Sequence, residues 1–176
     1  ADIADQKKMD EVFSTHRPDY CINFAAETHV DRSIHTGSLE FIETIVVGVY
    51  NILEAVKKYS VITYLQVSTD EVFGELSNPH DTGAPVLGRK FDETYPFHPN
   101  VPYSATKAGG DFLCNAYFET WKLPVIVTHC SNNYGPYQYP EKLVPYWATR
   151  LLRDEKIPLY GDGFHIRDWI HVDDHV

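Results

Sequence analysis

The segment ITYLQVSTDEVFG, residues 62–74, decides the fold because it joins a strand to a polar turn. Residues 62–67 are predicted to form a buried strand, and residues 68–71, Ser-Thr-Asp-Glu, follow it directly. In doubly wound sheets the carboxyl ends of the strands present side chains to a ligand. The segment therefore predicts a sheet strand and the rim of a binding crevice in one stretch of chain.

Strands and helices alternate on both sides of this segment. Apolar residues at three- and four-residue steps predict helices, and short apolar runs predict strands. The alternation predicts an α/β fold with a doubly wound parallel sheet. The predicted order is a helix capped by Asp5 and closed by Pro18, a strand at 20–26 buried on both faces, a helix at 39–58 capped by Ser38, the strand at 62–67, a helix at 103–121, a buried strand at 125–129, a helix after Pro140, and short strands at 158–160 and 170–172.

Residues 77–102 are rich in Pro, Gly, Asn and Asp and show no clear period. Structureless connections of that length are uncommon inside compact domains and are often active-site loops. We therefore expect functional side chains next to this loop.

Composition limits the classes of function. The chain has 176 residues, 43% of them apolar and 23% charged, which indicates one folded domain. Its net charge of −10 disfavours nucleic acid as a partner, and no apolar run is long enough for a membrane span. Cys21, Cys114 and Cys130 lack CxxC spacing and are predicted to be reduced thiols, so the cytoplasm is the expected compartment.

Tyr103 and Lys107 are four residues apart, a spacing that puts both on one face of a helix. An ammonium beside a phenol favours the phenolate. Lowering a phenol pKa by three units from its ordinary value near 10 needs about 4 kcal/mol of differential interaction. The pair indicates a base for proton abstraction, with an ordinary surface Tyr and Lys as the alternative.

Asp70 and Glu71 are adjacent carboxylates at the predicted strand end. Neighbouring acids in different environments can divide the work of general acid and general base. The alternative for a lone Asp-Glu pair is a solvated acidic turn.

Five motifs in a fixed order carry a family resemblance over nearly the whole chain. Together they resemble the nucleotide-sugar 4,6-dehydratases of the extended short-chain dehydrogenase/reductase superfamily, most of all those that act on dTDP-glucose. Tyr-x-x-x-Lys marks the superfamily, and Asp-Glu directly after Thr marks the dehydratases. The motifs are FAAETHVDRS at 24–33, STDEVFG at 68–74, PYSATK at 102–107, CSNNYGPYQ at 130–138, and GDG through RDW at 161–169.

The resemblance implies the catalytic roles. Tyr103 takes the proton from the sugar 4-hydroxyl while hydride leaves C4 for NAD, and Lys107 lowers the phenol pKa and holds the nicotinamide ribose. Thr69 bonds the 4-oxygen, Glu71 removes the C5 proton, and Asp70 protonates the departing 6-hydroxyl before hydride returns to C6. The implied reaction is the dehydration of dTDP-glucose to dTDP-4-keto-6-deoxyglucose, so the enzyme is a lyase.

The resemblance also implies the binding residues and a homodimer for the full-length protein. It implies that residues 1–176 form a partial NAD-binding Rossmann-like domain, in which residues from about 131 to 176 are the start of the sugar-nucleotide-binding region. For Glu141 and Lys142 the alternative interpretation is that they only start a helix. The planar guanidinium of Arg167 can donate paired hydrogen bonds to phosphate oxygens. The implied cofactor residues are Asp2, Ile3, Ala25, Ala26, Thr44, Ser68, Tyr103, Lys107 and Ser131. The implied residues for the nucleoside-diphosphate glucose substrate are Asn132, Glu141, Lys142, Leu143, Tyr160 and Arg167.

The sequence departs from the family pattern in three respects. No Gly-x-Gly-x-x-Gly turn occurs, so the pyrophosphate cradle is missing, and the end at Val176 falls short of the C-terminal part that completes the sugar-nucleotide site in the family. The fold is therefore expected to be incomplete at both ends. Ile45 stands where relatives usually carry Asn, which affects one buried polar contact near the cofactor.

Several alternatives stay open. Within enzymes they are a UDP-glucose 4,6-dehydratase or another NAD-dependent nucleotide-sugar epimerase or decarboxylase, and outside enzymes an inactive fragment that acts only as an interaction surface. A metal site is disfavoured by the spacing of the two histidine groups that would build it, so no metal is expected. Those groups are His29, Asp31 and His35, and His171, Asp173, Asp174 and His175.

Overall fold

The computed structural model describes residues 1–75, 90–163 and 166–176, so much of the predicted loop at 77–102 lies outside the described residues. The chain forms two compact units, Ala1–His129 and Cys130–Val176. Within the described ranges, no helix has the length and apolar character that a membrane crossing requires.

Twelve helices and strands follow one another in the described chain, together with a π-helix at Ile42–Val47 and a 3₁₀ helix at Asp70–Phe73. In chain order they are α1 (Gln6–His16), β1 (Tyr20–Asn23), α2 (Val30–His35), α3 (Leu39–Phe41), α4 (Gly48–Tyr59), β2 (Thr63–Thr69), α5 (Pro102–Trp121), β3 (Val125–Cys130), β4 (Asn132–Tyr134), α6 (Leu143–Leu152), β5 (Trp169–His171) and α7 (Val172–His175).

The sheet confirms the predicted parallel α/β fold. Its strand order is β1-β2-β3, and β1 runs parallel to β2 with Tyr20 opposite Thr63 and Asn23 opposite Gln66. β2 extends two residues beyond the predicted strand, so Ser68 and Thr69 belong to the strand itself.

The main core lies between helices α1, α4 and α5 and one face of the sheet. α1 begins where predicted, because the Asp5 side chain accepts hydrogen bonds from the backbone N–H groups of Lys7 and Lys8. It ends at Arg17, which takes the left-handed conformation. The buried core residues include Met9, Phe13, Val49, Leu53, Val56, Tyr64, Cys114 and Tyr117.

The predicted helix at 39–58 is present, but it is not one regular α-helix. A π-helical stretch separates α3 from α4, and Ser38 makes no side-chain capping hydrogen bond. Such a stretch takes an extra residue into the turn, and a three- and four-residue apolar spacing, which is that of a regular α-helix, does not predict it.

The prediction that residues 20–26 form a strand buried on both faces is wrong. β1 ends at Asn23, and Tyr20 and Ile22 are 67% and 58% exposed. Cys21, which faces the other way, packs on the main core, so the described residues cover one face of β1. β3 is likewise only partly buried, with Ile126 exposed.

The second unit holds a parallel pair, β4 and β5, with Asn132 opposite Trp169. The predicted strand at 158–160 is absent, and the partner of β5 is instead the polar stretch Asn132–Tyr134, which apolar runs do not reveal. α6 follows Pro140 as predicted and runs through Pro145.

Candidate functional site

The polar turn predicted from residues 68–71 lies at the end of β2 and continues into the 3₁₀ helix Asp70–Phe73. The Thr69 hydroxyl accepts a hydrogen bond from the Glu71 backbone N–H and donates to Asp70 Oδ1, both at 3.3 Å. Thr69 therefore caps the short helix that carries both carboxylates, and it fixes their direction at the sheet edge.

Tyr103 and Lys107 lie one turn apart on α5, and both are buried. Lys107 is only 4% exposed, and its Nζ donates to the Val67 carbonyl oxygen at 2.6 Å. The backbone N–H of Tyr103 donates to the Ser33 hydroxyl at 3.3 Å. The alternative of a surface Tyr and Lys is therefore excluded, because the pair is held inside the fold against the strand that leads to Thr69.

Asp111 lies one turn beyond Lys107 on the same helix and is buried. Its Oδ2 accepts a hydrogen bond from Ser68 Oγ at 2.6 Å, and His129 Nε2 lies 3.1 Å from the same oxygen. A carboxylate only accepts, so the second contact requires a proton on Nε2. Among the described residues, Asp111 Oδ1 has no hydrogen-bond partner.

An aromatic cluster packs against Phe73, at the end of the turn formed by residues 69–73. The His129 ring lies 5.1 Å from the ring of Phe73 and 5.4 Å from that of Phe97, measured between centroids. Gly74 follows with φ +75°, and a Cβ there would lie 2.2 Å from the His98 carbonyl oxygen, so only glycine allows this close approach. These contacts hold the exit of the turn, and the Ser68 hydrogen bond to Asp111 holds its entry.

A cleft of about 540 Å³ lies in the first unit, and it brings together five of the residues implied for the cofactor. Glu27, Glu40 and Glu43 line its rim. Ala26 also packs against the cluster of Phe41, Ile45 and Tyr103. One residue that lines the cleft therefore contacts the cluster that contains Tyr103. The five implied residues are Asp2, Ile3, Ala25, Ala26 and Thr44.

Two residues of α4 hold the N-terminal segment that lines this cleft. Asn51 is buried, and its Nδ2 donates to the carbonyl oxygens of Ile3 and Ala4 at 3.0 and 2.9 Å. A Cβ at Gly48 would lie 2.5 Å from Ile3 Cδ1, so the Ile3 side chain sits directly on the glycine. Together they set the position of Asp2 and Ile3.

Ile45, the departure from the family pattern, is buried on the π-helix in one cluster with Phe41 and Tyr103. An apolar contact therefore replaces the polar one at this position.

The second unit holds the remaining implied residues. Asn132 Nδ2 donates to the Asp168 carbonyl at 3.3 Å, and the ammonium of Lys142 lies 3.7 Å from Glu141. Lys142 is the N-cap residue of α6, and Leu143 is its first residue. Tyr160 and Arg167 are exposed, and Ser131 lies between β3 and β4.

Neither histidine group is arranged as a metal site. Across the described parts of the chain, no group of three or more His, Cys, Asp or Glu side chains could hold a metal ion. His29 instead caps α2, and His175 Nδ1 lies 2.7 Å from Asn133 Oδ1.

Four residues that hold the site in place are not predicted from the sequence: Asp111, His129, Asn51 and Gly48. One signal was available for Asp111, which follows Tyr103 by eight residues and Lys107 by four and so shares their helical face. His129 and Asn51 have no local signal, because their partners are distant in the sequence.

Comparison with known proteins identifies the family. A family model described as GDP-mannose 4,6 dehydratase matches residues 1–176. The chain belongs to this family. Within the dehydratase family, the chain is 45% identical to the dTDP-glucose 4,6-dehydratase of Neisseria meningitidis, over 99% of its own length and 49% of the relative's.

Solved dehydratase structures match as well. A dTDP-glucose 4,6-dehydratase from Streptomyces venezuelae, crystallised with NAD, superimposes with a TM-score of 0.89 at 42% identity, over 99% of this chain and 50% of that one. One from Bacillus anthracis in complex with NAD gives 0.84 at 45% identity, with the same coverage. The chain therefore spans about half the length of the relatives it matches.

Proposed function

We propose that the full-length protein dehydrates dTDP-glucose to dTDP-4-keto-6-deoxyglucose. The observation that carries the proposal is the fixed juxtaposition of Lys107, buried in α5, with β2, the strand that ends at Thr69 and leads directly into Asp70 and Glu71. This arrangement supplies one base for oxidation and an acid and base for elimination. The relatives at 42% and 45% identity named above are dTDP-glucose enzymes, which favours the dTDP-sugar over other nucleotide sugars.

Tyr103 is assigned as the base that takes the proton from the sugar 4-hydroxyl. Lys107 stabilises the phenolate, since a buried ammonium on the same helical face favours the charged form of the phenol. The Val67 carbonyl, which accepts from Lys107 Nζ, holds that ammonium in place.

Asp70 and Glu71 are assigned to the elimination. Once C4 is a ketone, the C5 proton is acidic, and Glu71 removes it while Asp70 protonates the leaving 6-hydroxyl. Thr69 forms a hydrogen bond with the 4-oxygen. The Thr69 hydroxyl also accepts from the Glu71 backbone N–H, and this contact holds Asp70 and Glu71 in a fixed position relative to Thr69.

NAD is the proposed cofactor, and the cleft residues fit its adenosine half. The Asp2 carboxylate can accept hydrogen bonds from ribose hydroxyls, and the small side chains of Ala25 and Ala26 allow the cofactor to approach the backbone closely. When bound, NAD accepts hydride from C4 and returns it to C6. Ser131 of the second unit is assigned to the cofactor.

The substrate set, a homodimer and a cytoplasmic location complete the proposal. The assigned substrate residues are Asn132, Glu141, Lys142, Leu143, Tyr160 and Arg167. α4 and α5 pack on each other and leave Tyr50, Phe112 and Trp121 exposed, which suits a second copy of the chain. Three free cysteines suit a reducing compartment.

The test is to incubate the full-length protein with NAD and, separately, with dTDP-glucose, UDP-glucose and GDP-mannose. We expect the 4-keto-6-deoxy product from dTDP-glucose at the highest kcat/KM. A 4-epimer with no 4-keto product would contradict the proposal and favour the epimerase alternative.

A further inference from the structure

Asp111, which is buried, and His129, which is half-buried, form a pair that none of the assigned steps uses. Asp111 is 4% exposed, and Ser68 and His129 converge on its Oδ2. A buried carboxylate is costly unless hydrogen bonds satisfy it, and Ser68 and His129 supply two contacts to this one.

The pair contacts both ends of the turn formed by residues 69–73, which carries Asp70 and Glu71. At the entry, Asp111 holds Ser68, the residue before Thr69. At the exit, the His129 ring packs on Phe73, the last residue of the 3₁₀ helix that carries Asp70 and Glu71. One hydrogen bond of 3.1 Å joins the two halves, so the entry and exit are coupled.

We propose that Asp111 and His129 are positioning residues, which hold the Thr69–Asp70–Glu71 turn in register with α5 for the elimination step. This inference rests on the proposed function, because it assigns the carboxylates to elimination. The Tyr103 backbone and the Lys107 ammonium have hydrogen bonds of their own, to Ser33 and Val67, so we expect the oxidation step to be affected less.

The test compares Asp111→Ala, Asp111→Asn and His129→Ala in the full-length protein. A misplacement of about 1 Å can cost about 10²-fold, so we expect the two Ala variants to lose about 10- to 100-fold in kcat with KM within about 3-fold. Reduced cofactor should accumulate in a single turnover, because oxidation outpaces elimination. Asp111→Asn keeps, in its amide oxygen, an acceptor for both Ser68 and His129 and should recover most of the kcat.

A second readout is independent of activity. Hydrogen exchange at residues 69–74, followed by mass spectrometry, should be faster in both Ala variants and unchanged in the control His35→Ala, which alters an exposed histidine on α2. If exchange and kcat are those of the wild type in all variants, or if oxidation slows as much as elimination, the inference is overturned. A wild-type protein that makes no 4-keto product would refute the proposed function instead, and the exchange measurement would still decide whether the pair holds the turn.

Discussion

Asn51→Leu tests whether the Asn51 clamp, the two hydrogen bonds that hold the N-terminal segment on α4, shapes the cleft proposed for NAD. The substitution keeps the size of the side chain and removes two hydrogen bonds, to the carbonyl oxygens of Ile3 and Ala4. Each such bond contributes about 1 kcal/mol net, so removing both weakens the attachment of the N-terminal segment to α4 by about 2 kcal/mol. No larger penalty is expected, because Ile3 and Ala4 are half-buried and their carbonyl oxygens can bind water instead.

The expected consequence is weaker NAD binding, since Asp2 and Ile3 line the cleft only while the segment is held on α4. A loss of about 2 kcal/mol corresponds to at most about a 30-fold rise in the dissociation constant. Isothermal titration of the full-length protein with NAD measures it.

The matched control is Asn115→Leu, the same chemical change at an exposed position of α5, for which we expect no change in NAD affinity. If Asn51→Leu folds as the wild type does, by circular dichroism, and binds NAD within about twofold of it, the clamp does not position the cleft and our reasoning fails.

Four further predictions follow from the site and the core. Tyr103→Phe should keep the fold and lower the rate of C4 oxidation by about 10²–10⁴-fold, the usual contribution of a general base, and near-normal turnover would remove Tyr103 from the mechanism. Asp70→Asn and Glu71→Gln should slow elimination more than oxidation, so that reduced cofactor accumulates in a single turnover; an equal loss in both steps would make the carboxylates structural. Burial raises the pKa of Cys114 to about 12, so the folded protein keeps a proton that the unfolded chain releases near pH 9. Chemical denaturation should therefore show that the free energy of unfolding falls as the pH rises from about 9 towards 12. The fall should be smaller in Cys114→Ala. The isolated 176-residue chain, whose sequence has no glycine-rich pyrophosphate turn, should bind NAD weakly by calorimetry and show no dehydratase activity, and tight binding would show that the turn is dispensable.

Local chemistry explains what the sequence could predict. The Asp5 cap, the apolar faces of α1 and α4, and the Tyr103–Lys107 spacing all depend on residues within one or two helical turns of each other, and each is present in the structure. The strand before Thr69 is likewise predicted, although β2 runs two residues beyond the apolar run, through Ser68 and Thr69.

What the sequence could not predict depends on distant partners. Residues 20–26 were expected to be buried from their apolar content alone, but burial needs a neighbour on each face, and the described residues cover one face of β1. The Asp111–His129 contact and the Asn51 clamp join residues 18 and 48 positions apart, respectively, and no local pattern reveals such pairs. Ile45 was noted as a departure, but its packing in one cluster with Tyr103 is visible only in three dimensions.

The central claim is that one site oxidises C4, eliminates water and reduces C6 of the same sugar. The most direct measurement uses dTDP-glucose labelled with deuterium at C4, incubated with the full-length protein and NAD and analysed by NMR. Our account predicts that the deuterium is recovered at C6 of the 4-keto product, because the hydride removed at C4 is returned there. Deuterium retained at C4 in an epimerised sugar, or lost to solvent, would contradict it.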